Sequence, residues 1–401
     1  MTEWRKVKLG EVCRRVTSGG TPKATVSSYY YPPTIPWLNT KEIDFCRITK
    51  TENYISEEGY EKSSAKWIDS DSVIIAMYGN TAGKVAINKI PLTTNQACCN
   101  LTINEDIADY EFIYYQLCTL YDKMVSLKIG AAQLNLNAQL IKNLEIILPP
   151  LPVQRRIAEA LSRYDALIEN YQRQIKLLEE AAQRLYKEWF VDLRFPGHQS
   201  TPIINNLPQA WQKKKLGEIV KTTSGGTPSR GKPEYYTGDI LWVKTKELND
   251  SFILDTEEKI SIEAINKSSA KILPSGSVLL AMYGATIGKL GIASKKMACN
   301  QACCVFLFDD NDVFRWFLYN WLIINRSFLI SQGKGAAQPN LSQDMIKNFE
   351  TIIPDTPLLE KYHRMVAPLY DRIMNNQAQI RNLSEARDRL LPKLMSAKIV
   401  F

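Results

Sequence analysis

Histidine is nearly absent from this chain: two in 401 residues, His198 and His363. The eight cysteines form no C-x-x-C, and four stand as adjacent pairs, Cys98–Cys99 and Cys303–Cys304. Zinc sites draw on clustered cysteine and histidine, so no metal centre is expected. The cysteines read instead as reduced, buried thiols in strand-like runs, where neighbours point to opposite faces. No apolar run reaches the length of a membrane span, and the opening MTEWRKVKLG is not a secretory signal, so a cytoplasmic location is expected.

The usual catalytic signatures are missing too. YGNTAGK at Tyr78–Lys84, echoed by YGATIGK at Tyr283–Lys289, invites a phosphate-loop reading. That motif needs four residues between its glycines and a Ser or Thr after its Lys. Here three residues separate the glycines, Val85 or Leu290 follows the Lys, and a β-rich run comes next. A glycine-bearing hairpin loop is expected, with its Lys and backbone amides able to touch a DNA phosphate. A methyltransferase would need an Asn/Asp-Pro-Pro-aromatic run, which neither YPPT (Tyr31–Thr34) nor LPPLP (Leu148–Pro152) supplies. No nucleophile elbow is present. The acidic turn Asp69–Asp71 has lost both carboxylates in its counterpart, Pro274–Gly276. The chain is expected to catalyse nothing.

What is present, throughout, is repetition. SGGTP occurs at Ser18–Pro22 and at Ser224–Pro228. Trp4–Val12 (WRKVKLGEV) matches Trp211–Ile219 (WQKKKLGEI), and WLNTKE at Trp37–Glu42 matches WVKTKE at Trp242–Glu247. Ala76–Cys99 aligns without gaps to Ala281–Cys304, with 13 of 24 positions identical. GAAQLNL at Gly130–Leu136 returns as GAAQPNL at Gly335–Leu341. The offset stays near 205, so a unit of about 200 residues has been duplicated in tandem.

Each copy has a globular part and a helical part. The first is cut into short β-rich runs by Gly, Pro and Asn, with helical stretches such as Asp109–Leu127. A mixed α+β domain is expected. From Pro152 to about Phe190 there is neither Gly nor a further Pro. Apolar residues there, from Val153, Ile157 and Leu161 to Leu185 and Trp189, fall at spacings of three and four, a narrow seam that wants a helical partner. The second copy supplies one, from Leu358 to Leu394, in which Pro368 and Pro392 predict kinks or breaks. The expected architecture is two similar domains, residues 1–150 and 196–356, joined by helices over 151–195 and 357–401. The helices would pair as an antiparallel coiled coil with a pseudo-twofold relation between the copies. Such a rod would act as a spacer between two binding surfaces.

Net charge is +8, a mild hint of an acidic partner. Residues 1–150 carry sixteen basic and sixteen acidic side chains, so nucleic acid would have to be met by a local patch. Arg14, Arg15, Lys41, Lys84, Lys123 and Lys128 are candidates for it. Among recurrent polar residues, Lys41 and Lys246, Tyr78 and Tyr283, Asn80, Thr81 and Thr286, Lys84 and Lys289, Lys128 and Lys334, and Gln133 and Gln338 are candidate DNA contacts. Residues identical in both copies cannot tell two half-sites apart. SGGTP, AMYG, G-x-T-x-G-K and NQACC are therefore assigned to fold and phosphate positioning. The SGGTP glycines are expected to make a turn, with a phosphate contact from backbone N–H groups. Base reading is expected where the copies diverge, Lys23–Pro36 against Ser229–Ile240 and Ile43–Lys62 against Leu248–Lys267. Arg47, Asn53, Arg230, Asn249 and Asn266 can offer hydrogen bonds to groove edges.

This organisation resembles the specificity subunit of type I restriction–modification systems. The resemblance rests on LGEV or LGEI near each domain start, SGGTP with aromatics and W-x-x-T-K-E, G-x-T-x-G-K, N-Q, GAAQ-x-N and the Pro-bounded long helix. It spans essentially the whole chain. It implies a non-catalytic subunit whose two target-recognition domains read the halves of a bipartite double-stranded DNA target, with the helices setting the gap. It further implies two modification subunits that bind S-adenosylmethionine and methylate adenine, joined by translocating restriction subunits, with no cofactor on this chain. LPPLPVQRRIAEAL looks like the family's domain-to-helix junction, so Gln154, Arg155, Arg156 and, in the second copy, Tyr362 are candidates for partner docking. The second junction, PDTPLLEKYHRM, departs from the first. A stand-alone DNA-binding regulator and a structural adaptor without DNA contact are the alternatives.

Overall fold

A computed structural model of the chain describes residues 4–129, 135–333 and 340–396. It divides into two compact units, Met1–Ile168 with Asn382–Phe401, and Glu169–Arg381. Each unit therefore holds one globular domain and a piece of both long helices.

The two domains repeat one topology. In the first, a five-stranded sheet runs in the order Cys13–Ser18, Cys98–Ile103, Val73–Ala76, Val85–Asn88, Cys46–Ile48. All neighbours are antiparallel except the last pair, where Cys46 stands beside Ala86 in parallel register. The second repeats the order with Lys221–Ser224, Cys303–Leu307, Val278–Ala281, Leu290–Ala293 and Ser251–Ile253, again with only the last pair parallel. A smaller sheet packs against it: Asn53–Ile55, Ile35–Leu38, Leu92–Thr94 and Trp67–Ile68 in the first domain. Its equivalent is Lys259–Ile260, Ile240–Val243 and Ala298–Cys299.

Strand alternation explains this layering. Val73 and Ile75 enter the core beneath the helix Tyr110–Thr119, while Ile74 and Ala76 face Leu38, Ile43 and Leu92 of the smaller-sheet side. The cysteine pairs split the same way: Cys99 lies in the helix-side core, Cys98 in the other. Cys304 and Cys303 repeat this. Burial pushes the Cys99 and Cys304 thiols up to about 12, so they pack as small apolar groups.

The central helix is Leu151–Tyr186 and the C-terminal helix Thr356–Met395. In the first unit Ile157, Ala158 and Leu161 share a core with Leu394 and Met395. In the second unit Ala182 and Tyr186 share one with Leu358, Tyr362, Val366 and Tyr370. The start of one helix thus meets the end of the other in both units, which is antiparallel pairing. The C-terminal helix runs unbroken through Pro368 and Pro392, so of the expected kinks or breaks the breaks do not occur. Each proline removes one backbone hydrogen bond, and the packed seam outweighs that loss. The central helix passes into a π-helical stretch, Lys187–Val191, and Phe195 then packs against Trp211 at 5.2 Å between ring centroids.

Candidate nucleic-acid interface

SGGTP is where the first loop of each domain is pressed against the smaller sheet. The Gly20 N–H donates to the Thr94 carbonyl at 2.9 Å, and the Gly226 N–H to Cys299 at 2.9 Å. The indoles of Trp37 and Trp242 donate to the carbonyls of Gly20 and Gly226, both at 3.0 Å. Tyr30 and Tyr236 donate to the Pro22 and Pro228 carbonyls at 2.8 and 2.7 Å. Thr21 and Thr227 bond Gln96 and Gln301. A Cβ on Gly19 would lie 1.9 Å from the Thr94 oxygen, and one on Gly20 2.3 Å from the Ser64 carbonyl carbon. Glycine is needed for close backbone approach, not for a turn. The expected phosphate contact at Gly20 and Gly226 does not fit, because both N–H groups are already used inside the fold.

Tyr78–Lys84 closes a hairpin between Val73–Ala76 and Val85–Asn88, as the spacing implied, and a strand follows it. Gly79 and Gly83 take left-handed backbone, φ 76° and 91°, as do Gly284 and Gly288 at 85° and 79°. Tyr78, Gly79 and Asn80 are exposed at its tip, and Thr81 donates to the Thr40 carbonyl at 2.8 Å. That bond brings the hairpin against the Thr40–Glu42 turn, which carries Lys41. Glu42 shapes the turn by accepting from the N–H groups of Asn39 and Glu52, at 3.0 and 2.8 Å. Glu247 does the same for Lys244 and Glu257, at 2.7 and 2.8 Å, presenting Lys246. Tyr283 is exposed on the second hairpin, and Thr286 is half-buried.

The cations in this region already hold carboxylates. Lys84 pairs with Asp44 at 2.6 Å and Lys289 with Asp250 at 2.8 Å. Lys41 pairs with Glu52 at 3.4 Å and Lys246 with Glu257 at 2.6 Å. Arg230 pairs with Glu258 at 2.7 Å while its guanidinium stacks 4.3 Å from the Tyr236 ring centroid. The exposed pairs among these, Lys41–Glu52 and Lys246–Glu257, are weak, about 0–1 kcal/mol, so a phosphate or base edge can compete for them, whereas Asp250 is also held by Arg326 and the Leu290 N–H. Arg230 stands in the diverged stretch after SGGTP, on the exposed surface. Asn249 and Asn266 are exposed and Asn53 is half-buried in the strand Asn53–Ile55.

Three sequence candidates are placed elsewhere. Arg47 is half-buried with its side chain turned inward, its guanidinium 2.7 Å from Asp165 and 2.9 Å from the Tyr115 hydroxyl, so it ties the sheet edge to the central helix. Burial would raise the Asp165 carboxyl, but Arg47, the Tyr115 hydroxyl and Arg387 outweigh it and hold it below the usual carboxylate range. Gln154 is fully buried, accepting from the Asp109 N–H at 2.9 Å and donating to the Pro149 carbonyl at 2.7 Å. Tyr362 is fully buried among Tyr186, Trp189 and Phe190 and accepts from Asn320 at 3.1 Å. Neither side chain reaches the surface. Arg155 and Arg156 are exposed on the first turns of the central helix. The side chains of Lys128, Gln133, Lys334 and Gln338 lie outside the described residues. The segments after them rejoin each hairpin: Leu136 donates to the Met77 carbonyl at 3.1 Å and Leu341 to Met282 at 2.8 Å.

A family model for the type I restriction modification DNA specificity domain matches residues 1–180 and 208–382. The chain belongs to this family. The MjaIX specificity subunit of a type I restriction enzyme from Methanocaldococcus jannaschii is 28% identical, over 98% of this chain and 93% of its own length. The HindI specificity subunit of Haemophilus influenzae is 21% identical over the full length of both. The crystal structure of a type I restriction–modification S subunit from M. genitalium matches with a TM-score of 0.66 over 98% of this chain and 96% of its own, at 16% identity, a likeness of fold. In this specificity-family chain, sequence reasoning missed the cluster around Asp165. Its signal was an acid set inside the apolar seam between Leu161 and Ile168.

Proposed function

We propose that this chain is the DNA-specificity subunit of a type I restriction–modification complex. It reads a bipartite target with its two domains and scaffolds the modification and restriction subunits, itself performing no chemistry. The observation that carries this reading is one domain architecture built twice, each copy fixed by the same buried SGGTP–Trp contacts. Around those fixed points, exposed segments differ between the copies. Shared frame and diverged surface are what two half-sites of different sequence demand. The names of the relatives support the same role, as specificity subunits of type I restriction enzymes.

The segments Lys23–Pro36 and Ser229–Ile240 are assigned to base reading, with Arg230 the leading candidate in the second domain. Arg155 and Arg156 are assigned to partner docking. S-adenosylmethionine is assigned to the modification subunits, and the whole complex to the cytoplasm. The test is mapping of modified adenines in DNA exposed to the chain assembled with its modification subunits. A motif in two specified parts with a fixed gap is expected. Exchanging Ser229–Ile240 for the equivalent segment of a relative should change one part only. A contiguous motif would overturn the reading.

A further inference from the structure

Away from the hairpin, each domain carries a second group of cations, which in the first domain joins Arg14 and Arg15, already candidates for a basic patch, to Lys8 and Lys142. In the first unit a cleft of about 380 Å³ is lined by Lys8, Arg14, Arg15 and Lys142, with Glu11 as its one acid. Lys8 ends the strand Arg5–Lys8, Arg14 is the second residue of the strand Cys13–Ser18, and Lys142 ends the short helix Ala138–Lys142. Gly10 allows their approach: a Cβ there would sit 3.2 Å from the Lys142 Cβ. Lys8, Arg14 and Lys142 are exposed, and none has a carboxylate within 4 Å among the described residues. This is the reverse of Lys41, Lys84, Lys246 and Lys289, each of which holds an acid.

The second unit repeats the arrangement. Lys215 and Lys347 stand at the positions of Lys8 and Lys142, and Lys221, beside Leu307 as Arg15 is beside Thr102, carries singly the charge that Arg14 and Arg15 supply in the first unit. A Cβ on Gly217 would lie 3.0 Å from the Lys347 Cβ. Lys215 bonds a neutral partner, the Asn348 side chain, at 3.1 Å, and no ion pair forms at the other two. What survives between copies is charge at three positions. Fork geometry does not survive, because the Arg14–Arg15 pair has become the single Lys221, which can act only as a point charge. Positions that keep charge but not fork geometry suit the phosphates of a duplex, which present a dense, sequence-independent negative charge.

We propose that Lys8, Arg14 and Lys142, and separately Lys215, Lys221 and Lys347, form paired DNA-backbone grips that hold the duplex without reading it. The grips rest on the specificity reading and deepen it, dividing affinity from discrimination. Duplex binding is measured across a salt series for the full chain assembled with its modification subunits, using DNA with and without the target. The assembly is compared with a Lys8→Gln, Arg14→Gln, Lys142→Gln variant and a Lys215→Gln, Lys221→Gln, Lys347→Gln variant. Each triple variant should flatten the slope of log affinity against log salt by about 2–3 and weaken binding about tenfold or more. The weakening should be equal on both duplexes, so the preference for the target is unchanged. An unchanged slope with DNA binding intact would overturn the grips alone, and so would loss of the modification subunits from the variant assembly, which would mark the clefts as docking sites for an acidic protein surface. If the unsubstituted assembly binds neither duplex, the specificity reading itself falls.

Discussion

The two units solve the same packing problem with exchanged chemistry. In the first, the sheet edge meets the central helix through ions: Arg47 and Arg387 hold Asp165 at 2.7 and 2.6 Å, with the Tyr115 hydroxyl at 2.5 Å. Shifted by 205 positions, Arg47, Glu111, Tyr115 and Asp165 become Phe252, Trp316, Asn320 and Tyr370. There Trp316 stacks on Tyr370 at 4.0 Å, Phe252 meets Trp316 edge-on at 6.2 Å, and Tyr370 donates to Asn320 at 3.0 Å. The loop preceding these residues does the opposite. Phe45 packs on Tyr121 at 5.3 Å in the first unit, while Asp250 is held by Arg326 at 2.5 Å in the second. Phe45 and Asp250 share the same left-handed backbone, φ 50° and 56°. Geometry was inherited and side-chain chemistry was not. A fully partnered buried ion cluster and an aromatic stack are close in net stability, so either can fill one site.

That comparison can be broken by mixing the solutions. Tyr370→Asp places a carboxylate in the aromatic seam of the second unit, beside Ala182 instead of an arginine. It should cost roughly 4–5 kcal/mol, read as lost hydrogen-exchange protection in the second unit's strands. A loss under about 1 kcal/mol would show that the seam does not distinguish the two chemistries.

Asp165→Asn in the first unit leaves two arginines facing a neutral amide and should cost about 3–5 kcal/mol, confined to the first unit. The wild-type carboxyl is held below its ordinary value, so its contribution is complete above about pH 4 and is lost as pH falls through the folded value. Acid unfolding of the first unit should therefore be steeper in the wild type than in Asp165→Asn. Equal acid profiles would remove Asp165 as the titrating group.

Gly20→Ala and Gly226→Ala should cost about 1–3 kcal/mol each, by near-equal amounts, since both Cβ positions fall within 2.3 Å of a neighbour. Thermal denaturation of each variant checks this, and a marked inequality would show that the SGGTP sites are not equivalent. The smallest stability effect is expected for Arg230→Ala, under about 1 kcal/mol, because its ion pair with Glu258 is half exposed. Its effect should appear in the modified-base motif, at one half only.

Much of this was legible in the residues. The repeat offset predicted two matching domains, and the spacing of three and four from Val153 to Trp189 predicted a helix seeking a partner. The Gly-to-Gly spacing at Tyr78–Lys84 separated a hairpin from a phosphate loop. The errors have a common cause. Arg47, Gln154 and Tyr362 were read as surface groups because polar side chains are usually exposed, yet each supplies a hydrogen bond that a buried neighbour requires. Burial of this kind depends on which element packs across the site, which no local pattern states. The SGGTP glycines were read as turn-formers for a similar reason. What forbids a side chain there is the backbone of Thr94 and Ser64, distant in sequence.

The division of each long helix between units bears on how the chain can fold as it is made. The second unit, Glu169–Arg381, is one continuous stretch. The first unit needs its opening 168 residues and also the segment from Asn382 onward, whose Leu394 is fully buried in that unit's core. A chain emerging from the ribosome therefore lacks part of the cover over Ile157 and Leu161 until the segment from Asn382 has been made. The domain encoded second has all its residues first, and the domain encoded first waits for the segment from Asn382 to close it.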